Sequence, residues 1–469
     1  MPPKAIPASF WRGGTSRGLL FRAEHLAPYS PQIRDRVILT ALGSPDPAGR
    51  QISGLGGGVS SLSKAAIIGV PGEAADLQRE FGRLPGVEWA DKGTRDGQAW
   101  DVVYRFAQVG RRAKGRTSDI ARMAESRERD RTASCGNMFT AVSIAALSIP
   151  LLPYTTIFTR ARSLPRSKQD PDAPIMFPLS ILSASNGAVM RARVPIDPLT
   201  LQVWEPPAGQ GVEIAGVPGK DEPGVMVEMP LDAASGRGGL VTGSARDTVR
   251  LEDGTEVVVS IVTSGLPNIF VPVSSLLAAA QTSFADGQTP PTLTPDLLAL
   301  PASTLSSNSS LCHFLEQIRT SAARQFGLPL SLASPKITLV GTIPEAGYAT
   351  TSGTTVSHEE ADLLVRAISS GDWHATIPGT TLGALNIGMG TEGTVIHDVV
   401  AARRVQNSAQ SRNVDDDDVV TIRAGHAAGV AESSVRFGKD GKPEAVAMVR
   451  TAREIMRGEV LVPERIFSE

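Results

Sequence analysis

A glycine- and serine-rich run that ends in a lysine carries the residue types best suited to chemistry in this 469-residue sequence. The run Gln51–Lys64 (QISGLGGGVSSLSK) combines bare backbone N–H groups with serine hydroxyls, among them those of Ser61 and Ser63. The apolar segment Ala65–Gly69 follows at once and is typical of a buried strand or helix. Partial burial would disfavour the charged form of the Lys64 amine, which could then act as a base at neutral pH. The alternative is an ordinary loop with a solvated lysine.

Cys135 lies in a second candidate segment, where Ser134-Cys-Gly-Asn137 directly precedes an apolar helical run. The N–H groups of Gly136 and Asn137 would belong to the first turn of that helix. They and the helix dipole favour a thiolate or a bound carboxylate. The alternative is a buried cysteine that acts as a small hydrophobic residue. The other cysteine, Cys312, lies on the apolar face of a predicted helix and is predicted to be a core residue.

The N-terminal segment Arg12–Gly18 (RGGTSRG) has the composition of a tight turn between two strands. It carries the hydroxyls of Thr15 and Ser16 and the guanidiniums of Arg12 and Arg17. Such a turn can present N–H donors and arginine forks to a carboxylate. An ordinary hairpin turn is the alternative.

The sequence patterns indicate neither a nucleotide-binding site nor a metal site. Gly388–Gly393 (GMGTEG) has the spacing of a dinucleotide-binding turn, but Thr394–Val400 is predicted to be a strand where a helix must begin. The six histidines show no spacing typical of a metal site. His374, in Asp372-Trp-His-Ala375, is a candidate binding residue, and a hydrogen-bonded structural histidine is the alternative.

The composition gives no indication of a nucleic acid or a membrane as partner. The 46 Lys and Arg residues nearly balance the 48 Asp and Glu residues, which gives no electrostatic reason to expect nucleic acid or an anionic membrane. No apolar run approaches the roughly 20 residues that span a bilayer. The two cysteines fit a reducing compartment, and the start of the chain lacks the apolar core of a signal peptide. We therefore predict a cytoplasmic location.

Three segments recur in the same order in the two halves of the chain. The pairs are 9–21 with 258–271, 63–71 with 335–344, and 134–147 with 379–387. This repetition predicts two similar lobes, 1–195 and 196–469, with the boundary at Pro195-Ile-Asp-Pro198. Helical spacing predicts helices over 310–327, 359–369 and 451–457.

These motifs, taken in order, resemble the PrpF family. The resemblance rests on R-G-G-T-S near the N-terminus, the run ending in Ser63-Lys64, and Ser134-Cys-Gly-Asn137 opening a helix. It continues through Gly265–Val271, Glu316–Arg319, Thr351–Gly353, Asp372–Ala375 and Arg450–Arg453. The family includes 2-methylaconitate isomerase, methylitaconate Δ-isomerase, oxalomesaconate tautomerase and fungal aconitate isomerases.

The resemblance implies an α+β fold like that of diaminopimelate epimerase. Two similar lobes would each wrap a curved sheet around a central helix, with the active site in the cleft between them. By the same analogy, the C-terminal segment would pack back on the first lobe.

The resemblance also implies roles for individual residues. Lys64 would transfer the proton, with Cys135 and Ser16 as the other catalytic candidates. The predicted substrate-binding residues are Arg12, Thr15, Arg17, Ser61, Ser63, Gly136, Asn137, Asn268, Ser352 and His374. The sequence departs from the family pattern at Arg17, where Lys is common, at Leu62, which replaces a small hydroxyl residue, and over the extended stretch 111–131.

We therefore predict a cofactor-independent isomerase that moves or rotates the double bond of a small unsaturated tricarboxylate. Cis- and trans-aconitate and 2-methylaconitate are the expected kind of substrate, no metal is expected, and a homodimer is possible. Two alternatives stay open at this point. One is an amino-acid epimerase of the same fold, and the other is a non-catalytic accessory protein that binds carboxylates.

Overall fold

The chain divides into two units in the computed structural model. Unit one comprises Met1–Pro230 and Val449–Glu469, and unit two comprises Leu231–Met448. The structure describes residues 2–90, 93–108, 136–149, 151–167, 170, 172–185, 187–231, 238–283, 293–331, 334–369, 371–406 and 419–468. The boundary predicted at residue 195 lies before this division, since the strand Val225–Pro230 pairs with the strand that ends at Ile196.

Unit one contains helices on both faces of a mixed sheet. Its described helices are α1 (Ala23–Leu26), α2 (Pro31–Ala41), α3 (Ala74–Phe81), α4 (Gly136–Ser148) and α5 (Tyr154–Arg162). Its described strands are β1 (Lys4–Gly13), β2 (Ser16–Arg22), β3 (Lys64–Gly69), β4 (Val87–Glu88), β5 (Thr94–Arg95), β6 (Gln98–Ala99), β7 (Val102–Gln108), β8 (Ile175–Ser183), β9 (Val189–Ile196), β10 (Val225–Pro230) and the C-terminal β23 (Ala452–Val462).

The main sheet of unit one runs in the order β23-β1-β2-β3-β7-β8-β9-β10. The pairs β2–β3 and β7–β8 are parallel, and the other neighbours are antiparallel. Helices α2 and α3 contribute to an apolar core on one face, which includes Leu19, Phe21, Ala65 and Ile67. The C-terminal β23 belongs to this unit because it pairs with β1 along almost its whole length.

Helix α4 lies on the other face of this sheet and is buried from Met138 to Ala146. It is apolar around its whole circumference, as expected of a helix enclosed by protein. It contacts strands from across the sheet, including β1, β2, β9 and β23. At its first turn the backbone of β1 comes so close that a Cβ atom on Gly13 would lie 2.0 Å from the carbonyl oxygen of Asn137. A side chain at position 13 is therefore incompatible with this packing.

Unit two has the same combination of elements. Its described helices are α6 (Val273–Ser283), α7 (Ala302–Ser307), α8 (Ser309–Gln325), α9 (Gly379–Met389) and α10 (Val395–Gln406). Its described strands are β11 (Gly238–Leu240), β12 (Asp247–Arg250), β13 (Glu256–Ser264), β14 (Pro267–Pro272), β15 (Lys336–Gly341), β16 (Tyr348–Ala349), β17 (Thr355–Val356), β18 (Leu363–Ser369), β19 (Asp372–Trp373), β20 (Val419–His426), β21 (Gly429–Phe437) and β22 (Pro443–Arg450), whose last two residues belong to unit one.

The strand pairings of unit two repeat those of unit one. The antiparallel hairpin β13–β14 is followed by the parallel pair β14–β15, the antiparallel pair β15–β18, the parallel pair β18–β20 and the antiparallel pair β20–β21. The corresponding series in unit one is β1–β2, β2–β3, β3–β7, β7–β8 and β8–β9. Helix α9 is buried from Thr380 to Met389 and contacts β13, β14, β20 and β21, as α4 contacts its own sheet. The predicted α+β class is confirmed, and the three echoed segments occupy matching places.

The helix predicted over 310–327 is confirmed as α8. The side chain of Asn308 caps it by accepting a 3.0 Å hydrogen bond from the N–H of Leu311. The helices predicted over 359–369 and 451–457 are wrong, because these segments form β18 and β23. Pairing with β15 and β20 in one case, and with β1 in the other, overrides their helical spacing.

The strand predicted over Thr394–Val400 is also wrong, because α10 begins at Val395. The hydroxyl of Thr394 accepts a 3.1 Å hydrogen bond from the N–H of His397 and so caps the helix. Gly388–Gly393 nevertheless lacks the context of a dinucleotide site, since it begins within the last turn of helix α9 and does not follow a strand.

Replacing Gly13 by alanine tests the contact between α4 and β1. The added methyl group would overlap the Asn137 carbonyl, so we expect the free energy of unfolding to fall by about 1–3 kcal/mol. Chemical denaturation monitored by circular dichroism measures the change. Gly458→Ala in β23 is the matched control, because no described residue other than its two chain neighbours has an atom within 4 Å of the place that its added methyl group would take. Equal stability of the two variants would contradict this account of the packing.

Candidate active site

Lys64 is the first residue of β3, at the point where the Gly-Ser run enters the sheet. It is 8% exposed, and the rest of β3 is buried as well. Its partner on the parallel strand β2 is Gly18, where a Cβ atom would lie 2.4 Å from the carbonyl oxygen of Lys64. The absence of a side chain at Gly18 therefore allows β2 to approach the backbone of Lys64.

The side chain of Lys64 points to the face of the sheet that carries α4. Side chains alternate along a strand, and the neighbouring Ala65 belongs to the core on the opposite face. The Lys64 Nζ atom lies 5.2 Å from the centroid of the Phe106 ring in β7. Two residues earlier on the same strand, the ring of Tyr104 lies 6.0 Å from that of Phe139 in α4. The amine thus contacts an aromatic face, which attracts a cation.

The first turn of α4 rests on the β1–β2 turn. The Asn137 Nδ2 atom lies 3.2 Å from both the Thr15 and the Ser16 hydroxyl oxygens and donates to them. Gly14 has a φ of +49°, and a Cβ atom there would lie 2.2 Å from the Asn137 side-chain oxygen. Ser16, which is 4% exposed, lies two residues before Gly18 on the same face of β2 as that residue. The structure therefore brings Thr15, Ser16, Asn137 and Lys64 to one end of β2 and β3, near the start of α4.

The Gly-Ser run is held by its own hydrogen bonds. The Gln51 side-chain oxygen accepts from the Ser63 hydroxyl and, at 3.1 Å, from the N–H of Gly58. The Ser63 hydroxyl in turn accepts from the N–H of Gly57 at 3.2 Å. No role was predicted for Gln51 from the sequence, and its position as the first residue of the run was the only indication that it orders the loop. Ser63 orders the loop that precedes Lys64, and Ser61 lies half-buried in the 3-10 turn Ser60–Leu62.

The Arg12 guanidinium forms hydrogen bonds and an ion pair with other residues of unit one. Its Nη1 atom donates to the carbonyl of Gly14 and to the carbonyl and hydroxyl of Thr451, all within 3.1 Å. Its Nη2 atom forms a 3.1 Å ion pair with Glu222. Burial lowers the pKa of the Arg12 guanidinium, and the Glu222 carboxylate opposes that shift. These contacts tie the β1–β2 turn to the C-terminal segment.

The Arg17 guanidinium has a different environment. It lies 5.8 Å from the Phe10 ring centroid, and within the described ranges no carboxylate forms an ion pair with it. A Cβ atom on Gly57 would lie 3.0 Å from Nη2 of Arg17, which places the guanidinium beside the Gly-Ser run. Of the two predicted carboxylate-binding arginines, Arg17 is the one whose described contacts leave its charge uncompensated.

The candidates from unit two occupy three separate places. Asn268 is 0% exposed, and its amide donates to the carbonyl of Leu266 and accepts from the Thr381 hydroxyl at 2.9 Å. Ser352 is exposed and shares hydrogen bonds with the hydroxyls of Thr350 and Thr354 in one turn. The His374 Nδ1 atom accepts from the N–H of Thr376 at 3.1 Å. Their roles stay predictions.

Two further observations concern the predicted ligands. Cys135 lies outside the described residues, so its role also stays a prediction. Gly136, the next residue, is the first residue of α4. Among the side chains that the structure describes, no three His, Cys, Asp or Glu residues form a group able to hold a metal ion. None of the described helices is long and apolar enough to cross a membrane.

Comparison with known proteins identifies the family. The family described as PrpF protein matches residues 3–84 and 98–463. The chain belongs to the PrpF family. The 3-methylitaconate isomerase of Eubacterium barkeri is 29% identical over 97% of this chain and 97% of its own length. The 2-methyl-aconitate isomerase of Shewanella oneidensis is 28% identical over 99% of this chain and 98% of its own length.

A solved structure extends this similarity to the fold of the PrpF chain. The crystal structure of a methylitaconate-delta-isomerase matches with a TM-score of 0.63 and 26% identity, over 100% of this chain and 98% of that one. The relatives are named as isomerases, and the prediction of an isomerase is confirmed.

A double-mutant cycle between Arg12 and Glu222 tests the structural role of their ion pair. Both side chains are largely buried, so we expect a coupling of about 1–3 kcal/mol in the free energy of unfolding when Arg12→Met and Glu222→Gln are combined. Denaturant titration of the wild type, the single variants and the double variant measures it. Additive effects would show that Arg12 does not hold the turn through Glu222.

Proposed function

We propose that this protein moves or rotates the double bond of a small unsaturated tricarboxylate by allylic proton transfer, with Lys64 as the base. Aconitate and 2-methylaconitate are the kind of substrate meant. The observation that carries the proposal is the position of Lys64. It is largely buried at the start of β3, next to the strand β2 that begins at Ser16, and Ser16 in turn is hydrogen-bonded to the first turn of α4. The relatives named as methylitaconate and 2-methyl-aconitate isomerases support this substrate class.

The proposed reaction begins when neutral Lys64 removes a proton from the carbon next to the double bond. The electron pair of the broken C–H bond enters the conjugated system and forms a dienolate, whose charge extends into a carboxylate. The lysine ammonium then returns the proton. Return to the other allylic carbon shifts the double bond, and return to the original carbon after bond rotation gives cis–trans isomerisation. One base performs both steps.

Burial supports this role for a lysine. An amine in water is charged at neutral pH, whereas removal from water disfavours the ammonium form and makes a neutral amine accessible. The Phe106 ring beside Nζ attracts the ammonium that forms once Lys64 has removed the proton from the substrate. Proton exchange between carbon and the amine leaves the oxidation level of the substrate unchanged, so the reaction itself requires no electron acceptor.

The groups around Lys64 are suited to binding carboxylates. The hydroxyls of Thr15 and Ser16 and the amide of Asn137 lie together at the start of α4. Backbone N–H groups of the first helical turn point out of the helix end, where the helix dipole favours an anion. Arg17 would neutralise a second carboxylate. Donors placed at the developing enolate oxygens would stabilise the dienolate more than the substrate.

Replacing Lys64 by methionine tests the proposed base. A positioned acid–base group typically raises the rate of proton transfer about 10²–10⁴-fold, so we expect kcat for the acid that the enzyme isomerises to fall by about that factor. Proton NMR in deuterated water, with cis-aconitate, 2-methylaconitate, methylitaconate and an oxalomesaconate-like keto acid, measures both double-bond movement and solvent deuterium uptake. The exposed Lys442→Met is the control, and Cys135→Ser separates the two catalytic candidates. Wild-type turnover in Lys64→Met would refute the assignment.

Replacing Arg17 by methionine tests the proposed carboxylate contact. Loss of a charge-assisted hydrogen bond of about 1.5–3 kcal/mol should raise KM roughly 10- to 100-fold, with a smaller change in kcat. Steady-state kinetics on the best substrate of the panel give both constants. Arg453→Met serves as the control, because Arg453 is two-thirds exposed. An unchanged KM in Arg17→Met would remove this residue from the substrate site.

A further inference from the structure

Lys336 in unit two occupies the position that Lys64 has in unit one. Each lysine is the first residue of a buried strand, β15 for Lys336 and β3 for Lys64. Each strand runs parallel to the second strand of a hairpin, and the lysine pairs there with Asn268 in β14 or with Gly18 in β2. The sequence carries the signal in the echo of Ser63-Lys64 by Pro335-Lys336, but no role was predicted for Lys336.

The Lys336 amine contacts the start of the buried helix α9. Lys336 is 6% exposed, and its Nζ atom donates a 3.2 Å hydrogen bond to the hydroxyl of Thr380, the second residue of that helix. The N-cap residue of α9 is Pro378, whose side chain makes no capping hydrogen bond. An amine that can carry a positive charge and the N-terminal end of a helix therefore lie side by side, and both favour an anion.

Two buried hydroxyls of unit two have no hydrogen-bond partner among the described residues. They belong to Ser264, which is 4% exposed, and Thr338, which is 0% exposed. Thr338 lies two residues after Lys336 on β15 and so faces the same side of the sheet. An unsatisfied buried hydroxyl costs free energy, and such groups call for an explanation in a native structure.

The Ser264 hydroxyl lies against the same face of α9 as Thr380. A Cβ atom on Gly383 would lie 2.6 Å from the Ser264 hydroxyl oxygen, and Gly383 is three residues after Thr380, one turn along the helix. A Cβ atom on Gly265, the residue after Ser264, would lie 3.7 Å from the methyl carbon of Thr380. The hydroxyl is therefore held within the first two turns of α9.

We propose that Lys336, Thr380 and Ser264 form a carboxylate-binding site at the start of α9. The lysine ammonium and the two hydroxyls supply donors, and the helix end adds its dipole. The ligand class is the small di- or tricarboxylate, and the choice of that class rests on the proposed function. The Lys336 amine donates a hydrogen bond to the Thr380 hydroxyl, and in this proposal its further N–H groups donate to the carboxylate, while the proton-transfer role stays with Lys64.

Binding of propane-1,2,3-tricarboxylate tests the site without any turnover, because this saturated acid has no double bond to move. Isothermal titration calorimetry compares the wild type with Lys336→Met, Thr380→Val and Lys336→Arg. We expect Lys336→Met to bind roughly 10- to 100-fold more weakly, as the loss of a charged hydrogen bond predicts. Thr380→Val should weaken binding less, and Lys336→Arg should retain part of the affinity. The exposed Lys442→Met is the matched control and should bind as the wild type does.

Wild-type affinity in Lys336→Met, or no binding of the acid by the wild type, would overturn the proposal. Methionine is close to lysine in volume and replaces a buried charge, so the variant is expected to fold. If it does not fold, the affinities of Thr380→Val and Lys336→Arg for the saturated acid test the site instead. On a turned-over acid, Lys336→Met should raise KM and change kcat little, which a purely structural role would not produce.

The outcomes separate this inference from the proposed function. A wild type that binds the saturated acid through Lys336 but isomerises no acid of the panel would refute the function and support the site. If the wild type isomerises an acid and Lys336→Met has an unchanged KM for it, the result would support the function and refute the site.

Discussion

The contact between the first turn of α4 and the β1–β2 turn positions the polar groups of Thr15, Ser16 and Asn137. Gly13 and Gly14 allow the helix to approach within van der Waals distance of the turn, and Asn137 then reaches the Thr15 and Ser16 hydroxyls. Because Gly18 lacks a side chain, β2 also lies directly beside the Lys64 backbone. A helix enclosed by its sheet cannot shift without disturbing the whole core. The donors and the amine are therefore positioned by packing, which is the kind of support that a catalytic arrangement needs.

Unit two repeats this backbone arrangement with different side chains. Where unit one has Gly18 opposite its lysine, unit two has Asn268, whose amide oxygen accepts from the Thr381 hydroxyl of α9. The helix is thus hydrogen-bonded to the hairpin in both units, and in unit one the glycines of the β1–β2 turn add a close contact. Gly18 lets β2 lie against the Lys64 backbone, whereas Asn268 is fully buried with both ends of its amide engaged. The same strand order can therefore support different chemistry at equivalent positions.

The elements predicted correctly are those that short stretches of sequence specify on their own. Helix α8 follows from its apolar spacing and the Asn308 cap, and the segment before Lys64 follows from its glycines. The predictions of helices over 359–369 and 451–457 are wrong because the apolar spacing of these segments also fits a strand, and pairing with distant strands decides between the two. The ion pair of Arg12 with Glu222 joins residues far apart in the chain, and no spacing rule reveals it. The division after residue 230 likewise depends on the pairing of β10 with β9.

The two buried lysines occupy equivalent backbone positions, and the proposals give them different roles. Taking an ammonium out of water costs several kcal/mol unless its surroundings compensate. The described contacts of Lys64 include the Phe106 ring, whose face attracts the ammonium that forms when the amine takes up a proton. Those of Lys336 include the Thr380 hydroxyl, which accepts a hydrogen bond from the amine at the start of α9. A bound carboxylate at that helix end would meet both the amine and the helix dipole. On the two proposals together, the duplicated fold uses one lysine to move a proton and the other to bind charge.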